Sequence, residues 1–193
     1  LRLTSIAPWQ FDRRLLDLFN SGRLCRHFHL SLQSGCNATL ARMRRPYSIE
    51  DFAGLVGEIR ARLPRAAITT DVIVGFTGET DEEFETTLAF CERLGFSKIH
   101  AFPYSLRPGT EAATMPGQIA HETKRKRMGR ILTVAECAER SFWEAQVGTE
   151  VEILWERRKN GHWLGMSDNY IRVLTSHPRS ANQLERSFLA RTL

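Results

Sequence analysis

The stretch from residue 69 to residue 80 has the composition of a strand that leads into a ligand-binding loop. Alternating β-branched residues end at Gly75, a second glycine follows at Gly78, and Glu79 adds a carboxylate beside it. Glycine adopts backbone conformations closed to other residues and lets a ligand approach the main chain. We therefore predict a buried strand whose carboxyl end presents backbone to a flat ligand, with Glu79 at the mouth of the site.

Two other segments place polar side chains at alternate positions of predicted strands. In the segment 27–33, polar residues alternate with the apolar residues Phe28, Leu30 and Leu32; the polar ones are His27, His29, Ser31 and Gln33. In the segment 98–104, the polar residues Lys98, His100 and Tyr104 lie opposite Ile99 and Ala101. Alternate residues of a strand face the same side, and buried polar groups need partners. The polar faces therefore predict either a functional pocket or a hydrogen-bonded layer. We favour the pocket for the combined set, and the layer for either His27 or His29 taken singly.

The composition limits the classes of protein that this chain can represent. Its 193 residues are 42% hydrophobic and 25% charged, which is ordinary for a globular protein. No apolar run approaches the roughly 18 residues of a membrane span, and no signal-peptide pattern opens the chain, so we predict a cytoplasmic protein with no membrane partner. The cysteines, at positions 25, 36, 91 and 137, show no C-x-x-C spacing and predict reduced thiols without a metal site.

The net charge of +5 is compatible with an RNA partner. Three clusters carry much of it: Arg42, Arg44 and Arg45; Lys124 to Arg127; and Arg157 to Lys159. Each cluster taken alone is equally well interpreted as a solvated face.

The pattern of elements predicts two domains, at residues 1–145 and 146–193. Strands are predicted at 1–6, 27–33, 67–76 and 97–104, and helices at about 12–21, 48–63, 80–95 and 119–145. Such alternation predicts an α/β fold with a parallel sheet or barrel. After Gly148 the pattern is that of β-strands alone, and Asn160-Gly161 predicts a hairpin turn. The second domain is therefore predicted to be a small β-barrel.

Three motifs occur in the order and at the spacing of one enzyme family. They are Leu32-Gln33-Ser34-Gly35-Cys36, the run from Thr70 to Thr80, and the run from Phe102 to Thr110. With them, the chain resembles the radical S-adenosylmethionine tRNA methylthiotransferases over nearly its whole length. Residues 97–105 are most similar to the branch that acts on N6-threonylcarbamoyladenosine next to the anticodon. Residues 165–171 resemble the TRAM domain that ends these enzymes.

The resemblance implies the carboxyl-terminal part of a radical SAM (β/α) partial TIM barrel with a long linking helix, followed by an all-β TRAM barrel that binds RNA. It implies methylthiolation at C2 of the modified adenosine, with S-adenosylmethionine as cofactor and the anticodon arm of tRNA as partner. The family's [4Fe–4S] clusters are held by cysteine loops that do not occur among these 193 residues. The chain also opens at Leu1 without a methionine, so we expect a piece of a longer protein that is inactive alone.

The resemblance also implies which residues bind the cofactor. Gln33 and Ser34 are expected to contact the ribose and methionine part, and Ile73, Val74 and Gly75 the adenine. Glu79 is expected to close the loop, and Phe102 and Tyr104 to make main-chain contacts to the adenine edge. The expected RNA contacts are Lys124, Arg125 and Arg127 on the long helix and Arg157, Arg158 and Lys159 at a hairpin tip, with Trp155, Trp163 and Tyr170 as candidate stacking groups. Arg45 is a candidate partner for the methionine carboxylate or for a surface ion pair. No catalytic side chain is predicted, because the cofactor supplies the chemistry.

The chain departs from the family's motifs at two positions. Ala7 occupies a position where a glutamate is usual, and Thr77 replaces a proline. Proline pre-sets a turn without contacting a ligand, so Thr77 is expected to change rigidity more than chemistry. Three alternatives stay open: a non-catalytic RNA-binding remnant, a methylthiotransferase that acts on isopentenyladenosine in tRNA, and an unrelated TIM-barrel enzyme.

Overall fold

The structure is a computed structural model that describes residues 1–191, apart from the side chain of Asn20. A three-stranded parallel sheet contains β1 (His27–His29), β2 (Ala67–Val74) and β3 (Lys98–Pro103), in the order β1-β2-β3. Single bridges extend the pairing between Ile6 and Leu30 and between Gln33 and Val72. The predicted α/β fold with a parallel sheet is confirmed.

The strand predicted for residues 1–6 does not form. Only Ile6 joins the sheet, where its amide donates to the carbonyl of His29 at 2.8 Å. The preceding residue, Ser5, has a φ of 56°, in the left-handed region that an extended strand cannot contain. Before this break, the carbonyl of Leu1 accepts from the amide of Cys25 instead of from the sheet. The strand prediction for residues 1–6 is therefore wrong, because the residue pattern does not show the backbone turn at Ser5.

The helices are α1 (Asn37–Arg42), α2 (Ile49–Arg62), α3 (Asp81–Leu94), α4 (Glu111–Thr114) and α5 (His121–Gln146). Apolar residues of α2, α3 and α5 pack with those of the parallel strands in one core. Capping boxes form at Thr80 and Glu83 and at Ser48 and Asp51, and Gly95 ends α3 in a left-handed conformation. Across residues 1–191, no helix combines the length and apolar character needed to cross a bilayer.

Two connecting segments differ from their predictions. Residues Arg13–Ser21 form a 3₁₀ helix, although an α-helix was predicted there, and its nine residues are long for that geometry. In α5, the apolar pattern of the sequence predicts one face that contains Ile131, Leu132 and Ala135. Ile131 and Ala135 are buried, whereas Leu132 is 44% exposed. Successive helix residues point about 100° apart, so Leu132 follows Ile131 out of the buried stripe.

The chain after α5 forms an antiparallel sheet. Its strands are β4 (Glu150–Lys159), β5 (His162–Ser167), β6 (Arg172–Thr175) and β7 (Gln183–Phe188), in the order β6-β5-β4-β7. Val151, Ile153 and Trp155 form its buried core. Asn160 and Gly161 both have positive φ, as a two-residue hairpin turn requires. This sheet agrees with a small β domain, whereas its boundary at residue 146 stays a prediction, and residues 192 and 193 lie outside the described residues.

The loop between β5 and β6 packs on the amino end of the parallel sheet. The guanidinium of Arg26 makes two hydrogen bonds to the carboxylate of Asp168, at 2.5 and 3.0 Å. Tyr170 stacks on His27 with ring centres 4.2 Å apart, and Arg2 lies over the same tyrosine ring at 5.0 Å. The two sheets are thus joined at the end of β1 opposite to the predicted ligand loops.

Candidate functional site

Three predicted ligand segments meet where the parallel strands end. The amide of Gln33 donates to the carbonyl of Asp71 at 2.8 Å, and the amide of Ile73 donates to the carbonyl of Gln33 at 2.8 Å. On the other side of β2, the amide of Tyr104 donates to the carbonyl of Val74 at 2.8 Å. We call this region the carboxyl edge and define it as residues 33, 73–75 and 102–104. Barrels and open α/β sheets bind their ligands at this end of the strands.

Ile73 and Phe102 form an apolar wall at the carboxyl edge. They are register partners on β2 and β3, and Phe102 is 52% exposed. Gln33 lies beyond β1 with a φ of 67°, a value that is uncommon for a residue other than glycine. The wall can receive a planar ring, and the half-buried Gln33 is joined to it through its main-chain carbonyl, which accepts from the amide of Ile73.

The side chains of Ser34 and Val74 face away from this wall. Both are completely buried among the helices. The hydroxyl of Ser34 lies 3.2 Å from the hydroxyl of Thr87 and accepts from the amide of Cys36. Neither side chain faces the carboxyl edge, and the part of these two residues in cofactor binding stays a prediction.

Glu79 is held inside the loop that follows β2. Its side chain is 1% exposed and pairs with Arg127, itself 7% exposed, at 2.7 Å between Nη1 and Oε2. The same carboxylate accepts from the amide of Gly75 at 2.8 Å. Burial raises the pKa of Glu79, against the opposing effects of the Gly75 amide and the Arg127 guanidinium. The prediction of a carboxylate at the mouth of the site is corrected, because this carboxylate closes the loop from within.

The two glycines of this loop pack against neighbouring segments: Gly75 against α5, and Gly78 against the residues that precede α5. A Cβ on Gly75 would lie 2.5 Å from Cγ of Lys124, and one on Gly117 would lie 3.3 Å from the main chain of Gly78. The amide of Gly78 also donates to the carbonyl of Gly117 at 2.8 Å. Their small size and positive φ thus let the loop pack closely against its neighbours, and ligand access at Gly75 stays a prediction.

The polar residues of the parallel sheet form a hydrogen-bonded layer. The hydroxyl of Thr69 lies 2.9 Å from Nε2 of His27 and 3.0 Å from Nδ1 of His29. Nε2 of His29 lies 3.1 Å from Asp71, and Lys98 pairs with Glu139 at 3.1 Å. The single histidines therefore match the hydrogen-bonded alternative of the prediction.

This layer has a definite hydrogen-bond direction while His29 is neutral. Asp71 can only accept, so Nε2 of His29 carries the proton and its Nδ1 accepts from the Thr69 hydroxyl. Thr69 in turn accepts from Nε2–H of His27. Burial, assisted by the charge of Arg2, lowers the pKa of His27 to about 3. His27 is thus a neutral donor in the folded protein.

Comparison with protein families identifies the region that contains these strands. Residues 2–91 match the Radical SAM superfamily. The chain is also similar to coproporphyrinogen III oxidase (HemN) from Escherichia coli, with a TM-score of 0.60 at 15% identity, over 71% of this chain and 32% of that one. At this identity the likeness concerns the fold alone.

Similar proteins of closer sequence include two tRNA-modifying enzymes. Threonylcarbamoyladenosine tRNA methylthiotransferase MtaB of Bacillus subtilis is 35% identical over 180 residues, covering 90% of this chain and 40% of that protein. The tRNA-2-methylthio-N(6)-dimethylallyladenosine synthase of Corynebacterium urealyticum is 42% identical over 155 residues, covering 80% of this chain and 29% of that protein. The chain thus spans less than half the length of these curated relatives.

The cations predicted to contact RNA occupy two kinds of position in the structure. Arg127 is buried in its ion pair, and Nζ of Lys124 donates to the carbonyl of Tyr104. Both side chains are engaged within the protein, and their predicted contact with RNA stays a prediction. Arg125 is exposed on α5, and Arg157, Arg158 and Lys159 are exposed at the tip of the β4–β5 hairpin. The remaining candidates for phosphate contact are therefore the exposed ones.

The aromatic residues predicted to stack on RNA bases are engaged within the protein. Trp155 is 1% exposed in the core of the antiparallel sheet, and Tyr170 is stacked on His27. Trp163 packs against the same core as Trp155. Arg45 is half-buried and its Nε is without a partner among the described residues. The pairing of Lys124 and Arg127 with the loops was missed, although their spacing of one helical turn places them on one face of α5.

Proposed function

We propose that the protein carrying this chain is a tRNA methylthiotransferase that works on tRNA in the cytoplasm. In this proposal the chain supplies the last strands of the catalytic barrel and a β domain that binds the anticodon arm. The observation that carries it is the convergence of three family motifs at the carboxyl edge, through the main chains of Gln33, Ile73 and Tyr104. The names of the similar proteins support the same reaction class.

The carboxyl edge fits the chemistry of S-adenosylmethionine. Ile73 and Phe102 offer an apolar wall for the flat adenine, and Gln33 offers an amide for the polar ribose or methionine part. The carbonyl oxygen of Tyr104 accepts from Lys124 with one lone pair and keeps the other for a ligand. The amide of Tyr104 already donates to the carbonyl of Val74. When bound, the cofactor supplies the radical chemistry, and these residues orient it and shield it from water.

An iron–sulfur cluster does not fit among the described residues. Cys36 and Cys91 are buried, Cys137 is exposed, and no three His, Cys, Asp or Glu residues within 1–191 come together as a metal site. We propose that the cluster ligands belong to the remainder of the protein. Anaerobic reconstitution of this chain with iron and sulfide should yield no stoichiometric cluster absorbance. A stable cluster on this chain would contradict the proposal.

We further propose that the substrate is N6-threonylcarbamoyladenosine in tRNA. The run from Ser97 to Ser105 supports this choice, and so does the longer coverage of the Bacillus subtilis relative. A second candidate is dimethylallyladenosine, which the higher identity to the Corynebacterium urealyticum relative favours. The two substrates differ in the N6 group, which is polar and anionic in the first and apolar in the second.

Mass spectrometry of tRNA nucleosides tests the reaction and the substrate together. The protein carrying this chain is expressed in a strain that lacks both methylthio modifications. We expect the methylthio form of N6-threonylcarbamoyladenosine to appear, and to fall sharply with Gln33→Ala but not with the exposed control Gln118→Ala. Methylthiolated dimethylallyladenosine would reject the substrate. The absence of both products would reject the reaction class.

A further inference from the structure

The side chain of Lys124 contacts two loops of the carboxyl edge at once. Its ammonium donates to the carbonyl of Tyr104 at 2.9 Å and lies 5.1 Å from the centre of the same tyrosine ring. Its aliphatic stem fills the space in front of Gly75. One side chain from α5 therefore connects the loop after β2 with the loop after β3.

The neighbouring cations of α5 divide into two sets. Arg127 lies one turn after Lys124 and bonds to the carbonyl and carboxylate of Glu79 and to Asp81. Arg125 and Lys126 are exposed, and Lys126 pairs with Glu122 on the same helix. The inward pair thus holds the loops, whereas the outward pair does not touch them.

We propose that Lys124 is a positioning residue of the S-adenosylmethionine site. This inference rests on the proposed function, because it concerns the main chain that would contact the adenine. With the Tyr104 amide bonded to Val74 and its carbonyl bonded to Lys124, both polar main-chain groups of Tyr104 are held in place. The stem of Lys124 likewise limits movement of Gly75. Removal of the ammonium should loosen the adenine-binding edge without removing any group that touches the cofactor.

Three variants of the protein carrying this chain test the assignment. Lys124→Met keeps the stem beside Gly75 and removes the ammonium, Lys124→Arg keeps a cationic donor, and Lys126→Met is the exposed control. Loss of one charged hydrogen bond should speed hydrogen exchange of the Gly75 and Tyr104 amides about tenfold in Lys124→Met. Lys124→Arg should recover most of the protection, and Lys126→Met should leave it unchanged.

Ligand binding separates this role from an RNA contact. We expect Lys124→Met to weaken S-adenosylmethionine binding about tenfold in calorimetry and to leave tRNA affinity and its salt dependence unchanged. Unchanged exchange with a salt slope lowered by about one unit would overturn the proposal and make Lys124 a phosphate contact. If the unaltered protein binds no S-adenosylmethionine, the proposed function fails and the cofactor role of Lys124 falls with it. In that case the exchange measurement still decides whether Lys124 holds the loops.

Discussion

Arg127 and Glu79 form a buried ion pair beneath the loop that follows β2. The contact measures 2.7 Å, and the two side chains are 7% and 1% exposed. Arg127 also bonds to Asp81, so one guanidinium spans the end of the loop and the first turn of α3. If either partner is removed or moves away, the other is left as an uncompensated charge in the interior. The buried pair therefore stabilises this one loop geometry.

Arg127→Met should lower the free energy of unfolding by about 3–5 kcal/mol, because it leaves the Glu79 carboxylate buried without its cation. The double variant Arg127→Met, Glu79→Leu should recover much of this loss. Urea unfolding of the chain measures both. The exposed pair of Arg130 and Glu85 is the matched control, and Arg130→Met should leave the stability nearly unchanged because the pair is solvated. Equal effects at the two arginines would contradict the buried-pair interpretation.

His27 should make stability fall in acid. Its pKa is about 3 in the folded chain and ordinarily 6.5, so the unfolded chain binds a proton that the folded chain does not. Above pH 6.5 both states are neutral and the effect is absent. Below it, stability should fall by up to about 1.4 kcal/mol per pH unit until the folded pKa is reached.

His27→Phe should reduce this acid slope, since phenylalanine keeps a ring against Tyr170 and does not titrate. Urea unfolding at several pH values between about 4 and 6 provides the slopes. The exposed His177→Gln serves as control and should retain the slope of the unaltered chain. Identical slopes for the His27 variant and the unaltered chain would show that other groups cause the acid sensitivity.

Gly165→Ala should destabilise the antiparallel sheet by about 1–3 kcal/mol through overpacking. A Cβ at this position would lie 2.6 Å from Cγ2 of Ile153 and 2.8 Å from Cε3 of Trp155. Thermal unfolding followed by tryptophan fluorescence reports on this core. Gly129 in α5 has open space around it, so Gly129→Ala should instead stabilise the chain by up to about 1 kcal/mol. A neutral Gly165→Ala would mean that the sheet relaxes around the methyl group.

Neutralisation of Arg157, Arg158 and Lys159 should reduce the salt slope of tRNA binding by about 2–3 units, because each phosphate contact releases a counterion. The three side chains are exposed at the tip of the β4–β5 hairpin. Filter binding at a series of salt concentrations measures the slope. Neutralising Arg13, Arg14 and Arg62, which are paired with carboxylates on the first domain, is the control. If only the control variant lowers the salt slope of tRNA binding, the RNA does not contact the hairpin tip.

Local features of this protein were readable from the sequence. The capping box of Thr80 and Glu83 forms between residues three apart, and the Asn160-Gly161 turn depends on two residues. The alternation in β2 and the apolar stripe of α2 likewise express short-range periods of the backbone. The family motifs are contiguous runs too, so their positions at the ends of strands followed from the same short-range pattern.

The sequence by itself therefore predicted most of the elements, their order and the family resemblance, whereas the tertiary structure alone decided which polar groups are free. Arg127 and Glu79 are 48 residues apart, and Lys124 and Tyr104 are 20 apart. Tyr170 was expected to stack on RNA and instead stacks on His27, which lies in the other sheet. Whether such a side chain meets solvent or a partner depends on how whole helices and sheets pack, because burial is a property of long-range contacts that no local period encodes.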